Sequence, residues 1–330
     1  MSSKAKKRLI IVLTIILLLI ATGIIGINFL IDSLLNKTDK TDGFKPSEVH
    51  VVEPKPNTED EIPDVVNVAL FGVDLDDGGN PRSDVMKIIS LNFDTRELHI
   101  TSVQRDNLFY LPMKGRYEKL NHAYAYNGAQ GAISALNYNL DFDITQYIKF
   151  DFDSIVYIVD YLGGVDISLS AAEAGQMRIG GAGTYHLNGT QALAYSRIRK
   201  IDSDYERMQR QNNVIDALLA RIGDSSVTDI IGIINHVTPH IETNITNESF
   251  KNYATSYLTF SRTLKEYQFP SDGYSSILAS LSLYGTGPHY VLRDFAGDVK
   301  LIHDHIYGGN YIISENVEKV DRETKELAGY

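Results

Sequence analysis

Apolar residues are spaced along this chain in three ways, and each spacing predicts a different element. The first is a long unbroken run: positions 9–27, L-I-I-V-L-T-I-I-L-L-L-I-A-T-G-I-I-G-I, carry no charge. As a helix, such a run crosses a hydrocarbon core of about 30 Å. Lys4, Lys6, Lys7 and Arg8 precede it, which predicts a cytoplasmic segment 1–8, a transmembrane anchor over 9–31 and an external remainder. The run is too long for a cleaved signal peptide, and no small-x-small site follows it, so the anchor is expected to stay attached. Positions 32–64 hold Pro46, Pro54, Pro56 and Pro63 with no apolar period. They read as an extracellular linker.

The second pattern is the short continuous run. V-V-N-V-A-L-F-G-V at 65–73 marks a strand buried on both faces, with Asp74 at its carboxyl end, where ligands sit in open α/β sheets. Arg82-Ser83-Asp84 then leads into a strand over 85–92, and a turn at Asp94-Thr95 into another over 98–103 that ends in Gln104-Arg105-Asp106. The third pattern is periodic. Lys119-Leu120-Asn121 opens a helix over 122–140, interrupted by Gly128 and Gly131. Positions 144–150 alternate as a strand, 152–162 form an apolar helix ended by Gly163-Gly164, and 165–167 resume a strand. Asn188 caps a short helix over 189–194, and Met208, Ile215, Leu218, Leu219 and Ile222 give the next helix its stripe. The last third alternates helical and strand patterns without a usable motif. Strands alternating with helices predict one layered α/β domain over 65–330.

Charge narrows the ligand. The formal net charge is −11; positions 1–31 hold four basic and no acidic residues, which leaves 27 basic against 42 acidic in the remainder, a net of −15. Such a body is repelled by nucleic acid and anionic lipid surfaces, so an anionic ligand needs a local basic site. Residues 195–211 supply one: Arg197, Arg199, Lys200, Arg207 and Arg210. Arg197 and Arg199 share a face if the backbone there is extended, and Arg207 and Gln211 project together from a helix start. Planar guanidinium forks suit phosphate oxygens because they bond bidentately and stay charged. Taken alone, these side chains are a solvated face paired with Asp202, Asp204 and Glu206. Beside Asp74, Arg82, Asp84, Arg105 and Asp106 at strand ends, the stretch becomes one wall of a metal-assisted phosphate site. Asp204 and Glu206 then orient the arginines.

Other chemistries fall away. The chain has no Cys, which removes disulfides, thiolate metal sites and a Cys nucleophile. No H-E-x-x-H, G-x-S-x-G or G-x-x-x-x-G-K-[ST] occurs. His303-Asp304-His305 would point two imidazoles one way on a strand, but a third ligand is missing. Asp74-Leu75-Asp76-Asp77-Gly78 resembles the nucleophile loop of haloacid-dehalogenase-type phosphohydrolases, which leaves the arginines without a role. As a calcium loop it has Val85 where the twelfth-position Glu belongs.

R-S-D at 82–84, R-D at 105–106, K-L-N-x-A-Y at 119–124, L-G-G-V-D at 162–166 and L-N-G-x-Q-A-L-A-Y-S-R-x-R-K through E-R-x-Q-R-Q at 187–211 occur in that order. Over roughly 65–219 this order resembles the LytR-CpsA-Psr family of membrane-anchored wall-assembly enzymes. The resemblance implies a three-layer α/β/α domain with a central mixed sheet and an apolar groove for a prenyl chain. It implies a phosphotransferase of the Gram-positive cell surface, which moves an anionic glycopolymer (wall teichoic acid, capsular or another secondary polysaccharide) from undecaprenyl pyrophosphate to a peptidoglycan sugar hydroxyl. Carried over by position, Asp74 and Asp84 hold Mg²⁺, with Mn²⁺ as the alternative. Arg82, Arg105, Lys119, Arg197, Arg199, Arg207 and Gln211 grip the pyrophosphate, and Asp74, Arg105, Arg197 and Arg199 form the catalytic group. Gln104 stands where the family usually has Pro and Asn107 where it has Thr or Ser, which implies altered loop geometry. Two alternatives share the site: a non-catalytic binder of polyprenyl phosphate lipids, and a polyprenyl pyrophosphate hydrolase. A membrane-bound transcription regulator is disfavoured, since residues 1–8 are too few to fold a DNA-binding domain.

Overall fold

The computed structural model describes residues 32–33, 36–52, 63–74, 81–198, 201, 204–223, 232, 238–257, 264–309 and 311–330. The expected anchor over 9–31 and the linker prolines Pro54 and Pro56 lie outside them. Among the described residues, no helix is long and apolar enough to cross a membrane.

A two-residue strand, β1 (Asp39–Lys40), precedes the buried run, which forms β2 (Val65–Asp74). β3 (Arg82–Asn92) and β4 (Glu97–Val103) pair antiparallel in sequence order. β3 starts at Arg82, so Arg82-Ser83-Asp84 lies within the strand and not in the turn ahead of it. The register explains why the apolar period hid this: Gly72 pairs with Val85, but Val73 pairs with Ser83. Asp84 is therefore the extra residue of a β-bulge, where the period of two breaks. Gly72 is needed at this point, because a Cβ there would lie 2.9 Å from the Phe150 ring and 3.0 Å from Val85 Cβ.

A hairpin that the periodicity does not reveal follows, β5 (Leu108–Leu111) with β6 (Arg116–Lys119). It leads directly into α1 (Leu120–Leu140), whose helical dihedrals break at Asn127 and Gly128. β7 (Gln146–Asp151), α2 (Phe152–Tyr161) and β8 (Val165–Leu169) fall where expected. A capped short helix, α3 (Ala171–Met177), and β9 (Gly183–Leu187) come next, with β9 pairing back onto β8. The Asn188 side chain caps α4 (Gly189–Ser196) by accepting from Gln191 N–H at 2.9 Å. α5 (Asp204–Gly223), β10 (Ile241–Thr243), α6 (Asn247–Tyr257) and β11 (Leu264–Phe269) follow. The β12 (Ile277–Ser282) and β13 (Pro288–Leu292) hairpin, α7 (Phe295–Tyr307) and α8 (Glu315–Leu327) complete the described chain.

The central sheet has the order β1-β10-β7-β2-β3-β4-β11. It is mixed: β2 and β7, and β4 and β11, run parallel, whereas β2, β3 and β4 are antiparallel. Each face carries its own apolar core. Phe71, Val73, Met86 and Ile88 pack with α1, α7 and α8 through Leu136, Ile302 and Val317. Leu70, Val85 and Phe150 pack with α2 and α5 through Ile155, Ile215 and Leu218. Every large side chain buried this way contributes about 1.5–3 kcal/mol relative to exposure. A buried charge lies in the middle of the sheet: Lys87 on β3 places Nζ 2.7 Å from Asp216 Oδ1 of α5 and donates to Ser102 Oγ at 2.6 Å. That pair fastens α5 across β3 and β4.

His303-Asp304-His305 lies in α7 and not on a strand, so its two imidazoles point about 200° apart. His303 is buried, pairs its Nε2 with Leu140 O at 2.6 Å and stacks on Tyr311 at 4.0 Å. Burial pushes its pKa down to about 4 from 6.5. The folded imidazole thus stays neutral where the unfolded one takes up a proton. Its contribution to stability is complete above about pH 6.5 and is lost as pH falls toward 4, about 3 kcal/mol across that window. Urea unfolding at pH 7 and pH 4.5 should show this fall in the wild type and a flatter dependence in His303→Gln; equal slopes would remove His303 as the cause.

Candidate functional site

The bulge takes Asp84 out of the strand ladder, and its buried carboxylate becomes a meeting point. Arg105, on the chain leaving β4, donates from Nη1 to Asp84 Oδ1. Arg207 Nη2 stands 3.6 Å and Gln211 Nε2 3.5 Å from Asp84 Oδ2. These last two are four residues apart on α5, on one face as the spacing predicts. Arg105 Nε also donates to Asp106 Oδ2 at 3.3 Å, and Asp106 Oδ1 takes Lys119 Nζ at 3.0 Å. Burial works against the Arg105 charge, but the carboxylates of Asp84 and Asp106 outweigh it and hold its pKa above the ordinary value.

The backbone around Arg105 is pinned from three sides. Gln104 N–H donates to Phe269 O at 2.9 Å, Tyr290 N–H to Asp106 O at 2.9 Å, and Asn121 N–H to Arg105 O at 3.1 Å. β11, β13 and the start of α1 thereby fix the guanidinium before any ligand arrives. Fixed donors and charges of this kind need no reorganisation when a charged ligand binds.

The other expected residues are placed less uniformly. Asp74 ends β2 opposite Arg82, which is exposed, and the Asp74 side chain lies outside the described residues. Arg197 is not extended: it caps α4 at φ −97°, ψ 4°, and its N–H donates to Leu193 O and Ala194 O. The strand-like pairing of Arg197 with Arg199 therefore does not hold at Arg197, because the Asn188 cap carries the helix through Ser196. Arg199, Lys200 and Asp202 lie outside the described residues, as does the Asp204 side chain; Glu206 is exposed. Arg210 is buried and donates to Ile198 O at 3.0 Å and Glu173 Oε1 at 3.3 Å, tying α5 to the preceding loop and to α3.

Asn121 and His122, to which sequence reasoning gave no role, join Gln104, Asn107 and Gln211, which it named. Gln104 Nε2, Asn107 Nδ2 and Oδ1, Asn121 Oδ1, His122 Nε2 and Gln211 Oε1 are buried without a hydrogen-bond partner among the described residues. Buried polar atoms are normally satisfied, and these lie on the loop that carries Arg105, at the start of α1 and on α5. A cavity of about 60 Å³ adjoins that loop, lined by Ser102, Gln104, Gln209, Asn212 and Asp216 with Phe269. Its lining mixes these polar side chains with Val103, Phe269 and Pro270, and at this volume it is too small to be the groove implied for a prenyl chain.

The profile of the LytR_cpsA_psr family matches residues 29–291. The chain belongs to that family. A polyisoprenyl-teichoic acid–peptidoglycan teichoic acid transferase, TagU, from Bacillus mycoides is 29% identical over 214 residues, covering 64% of this chain and 70% of the relative. Among solved structures, TagT bound to LIIa-WTA superposes with a TM-score of 0.58 at 22% identity, over 78% of this chain and 97% of that one. YwtF (TagT), a LytR-CPS2A-psr family protein with bound octaprenyl pyrophosphate lipid, superposes at 0.55 and 20% identity, over 76% and 94%. The mixed α/β fold with a central mixed sheet is therefore that of LytR_cpsA_psr proteins.

Gln104 is bonded through its backbone. Its N–H extends the β4–β11 ladder to Phe269 O, a bond that Pro cannot make. The residues also suit a divalent cation. Asp84 Oδ2 meets its cationic and amide neighbours only at 3.5–3.6 Å, so it keeps acceptor capacity, and Asp74 ends the neighbouring strand. Mg²⁺ commonly uses one or two carboxylates and completes its shell with phosphate oxygens and water. No group of three or more His, Cys, Asp or Glu forms a metal cluster among the described residues.

Proposed function

We propose that the chain is a phosphotransferase that moves an anionic glycopolymer from an undecaprenyl pyrophosphate carrier to a peptidoglycan sugar hydroxyl. The observation that carries this reading is Arg105, locked between Asp84 and Asp106 with Lys119, Arg207 and Gln211 converging on the same carboxylates. Membership of the LytR_cpsA_psr family and the TagU relatives support it. A pyrophosphate diester carries two negative charges that repel a hydroxyl nucleophile. Arg105, Lys119 and Arg207, joined by Arg82, Arg197 and Arg199, would neutralise that charge and stabilise the departing undecaprenyl phosphate. Asp74 and Asp84 would hold Mg²⁺, which when bound supplies Lewis-acid polarisation of a phosphoryl oxygen. Gln211 donates without adding charge, which orients the diester. The anchor at 9–31 would hold the 65–330 body on the external face of the membrane, spaced from it by 32–64, and the core on each face of the sheet fits a three-layer α/β/α body.

The test is full-length protein in detergent with a polymer-linked lipid pyrophosphate and peptidoglycan fragments, with Mg²⁺ or EDTA. Transfer that requires metal is expected. Binding with neither transfer nor cleavage would point to the lipid binder, and release of phosphorylated polymer without acceptor to the hydrolase. Arg197→Ala and Arg199→Ala should abolish transfer with little change in melting temperature; a large fall would make them structural ion-pair residues. Asp74→Ala should lose both activity and metal stimulation, and full metal-stimulated turnover in that variant would remove Asp74 from the site.

A further inference from the structure

His122 follows the K-L-N motif directly and is absent from the charge cluster described above, yet it is built as a base. Its Nδ1 lies 2.6 Å from Glu118 Oε1, and both side chains are buried. Glu118 also takes the Tyr126 hydroxyl at 2.7 Å and Arg116 Nη2 at 2.7 Å. Burial acts to raise the Glu118 pKa, but the bonds from Tyr126, His122 and Arg116 prevail and hold it below the ordinary carboxylate value. An ionised Glu118 accepts, so the Nδ1 of a neutral imidazole must carry the proton. The lone pair is then on Nε2, which is buried and has no partner among the described residues.

The residues flanking His122 reach the Arg105 cluster. Asn121, its chain neighbour, donates its N–H to Arg105 O, and Lys119 binds Asp106. The His289 ring of β13 stands edge-on to His122 at 6.4 Å. The turn between β12 and β13 lies over the same place: a Cβ on Gly287 would be 3.6 Å from Lys119 Nζ.

We infer that His122, oriented by Glu118, is the general base that takes the proton of the hydroxyl attacking the lipid-linked pyrophosphate. This rests on the phosphotransferase reading. The acceptor oxygen forms a bond to phosphorus, the phosphorus–oxygen bond to undecaprenyl phosphate breaks, and the hydroxyl proton moves to His122 Nε2. The lipid phosphate leaves with the electron pair of the broken bond. The imidazolium so formed lies against the Glu118 carboxylate, as in other carboxylate–histidine pairs that stabilise the protonated ring.

The groups that act on this ring are Glu118 and Lys119 on β6, Arg82 on β3, Tyr126 on α1 and His289 on β13. Burial, with Arg82 and Lys119, pushes the His122 pKa below 6.5 despite Glu118, so the neutral base prevails at pH 7. In wild-type full-length protein the transfer rate should therefore fall on the acid side of pH 6.5. His122→Asn keeps a donor to Glu118 but has no basic nitrogen. It should transfer on the order of 10²–10⁴ times more slowly, lose the acid limb and bind lipid pyrophosphate as tightly as wild type. Glu118→Gln should shift that limb, and added imidazole should partly restore His122→Gly. His122→Asn with wild-type transfer and pH profile overturns the role of His122 alone. Wild-type protein that binds the lipid pyrophosphate but neither transfers nor cleaves it overturns the phosphotransferase reading, and this inference with it.

Discussion

Arg105→Ala is expected to abolish lipid-pyrophosphate binding and to destabilise the fold by about 3–5 kcal/mol, because removing one partner of a buried ion pair leaves the other uncompensated. Two carboxylates are left in this case, Asp84 and Asp106, both buried and both bonded by the same guanidinium. Lys119 can turn further toward Asp106, but Asp84 then depends on Arg207 and Gln211 at 3.5–3.6 Å. The melting temperature should fall by on the order of 10 °C. Arg105→Lys should be intermediate, since one ammonium cannot fork between two carboxylates. Thermal unfolding and lipid-binding titration check both variants. A stable Arg105→Ala that has lost binding would show that the two ion pairs contribute nothing net to folding and serve the ligand alone.

The second large effect is expected away from the site. Asp216→Ala leaves Lys87 buried in the sheet with Ser102 Oγ as its hydrogen-bond partner and the Glu266 carboxylate as the charge acting on it. Asp216 is partly exposed, so the cost is toward the lower end for such pairs, about 2–3 kcal/mol. Activity should fall as well, because the pair fastens α5, which presents Arg207 and Gln211 to Asp84. The double variant Lys87→Met, Asp216→Leu should recover most of the stability, as apolar replacements of buried pairs commonly do. Denaturant unfolding of the two singles and the double closes the cycle. Additive losses would mean that the two side chains do not depend on each other.

Much of this architecture was legible in the sequence. β2, β4, β7, α2 and α5 announce themselves because one face or both must be apolar, and periodicity reports burial. β5 is four apolar residues, too short to show a period, and α3 and β9 are short and largely exposed, so burial writes no pattern in them. The Arg105, Asp84, Arg207 and Gln211 convergence was legible through ordered motifs, since charge alone favoured a solvated face. Arg210 sat among the same arginines but serves Ile198 O and Glu173, a distinction that only packing makes. His303 misled because a two-residue spacing means opposite things on a strand and on a helix. Glu118 and His122 were invisible as a pair: their spacing is helical, but Glu118 is on β6 and His122 is in the first turn of α1.

The bulge at Asp84 makes residue number, and not only residue type, a determinant of this site. Val73 belongs to the core shared with α1, and Val85 to the core shared with α5. In an unbulged ladder Asp84 would pair with Val73 and follow it to the α1 side, away from Arg207 and Gln211. Shortening the 82–84 segment by one residue would leave every charged group in the chain and still send this carboxylate into the wrong apolar layer. A substitution at Ser83 tests chemistry, whereas a deletion there tests the reading frame of the strand itself.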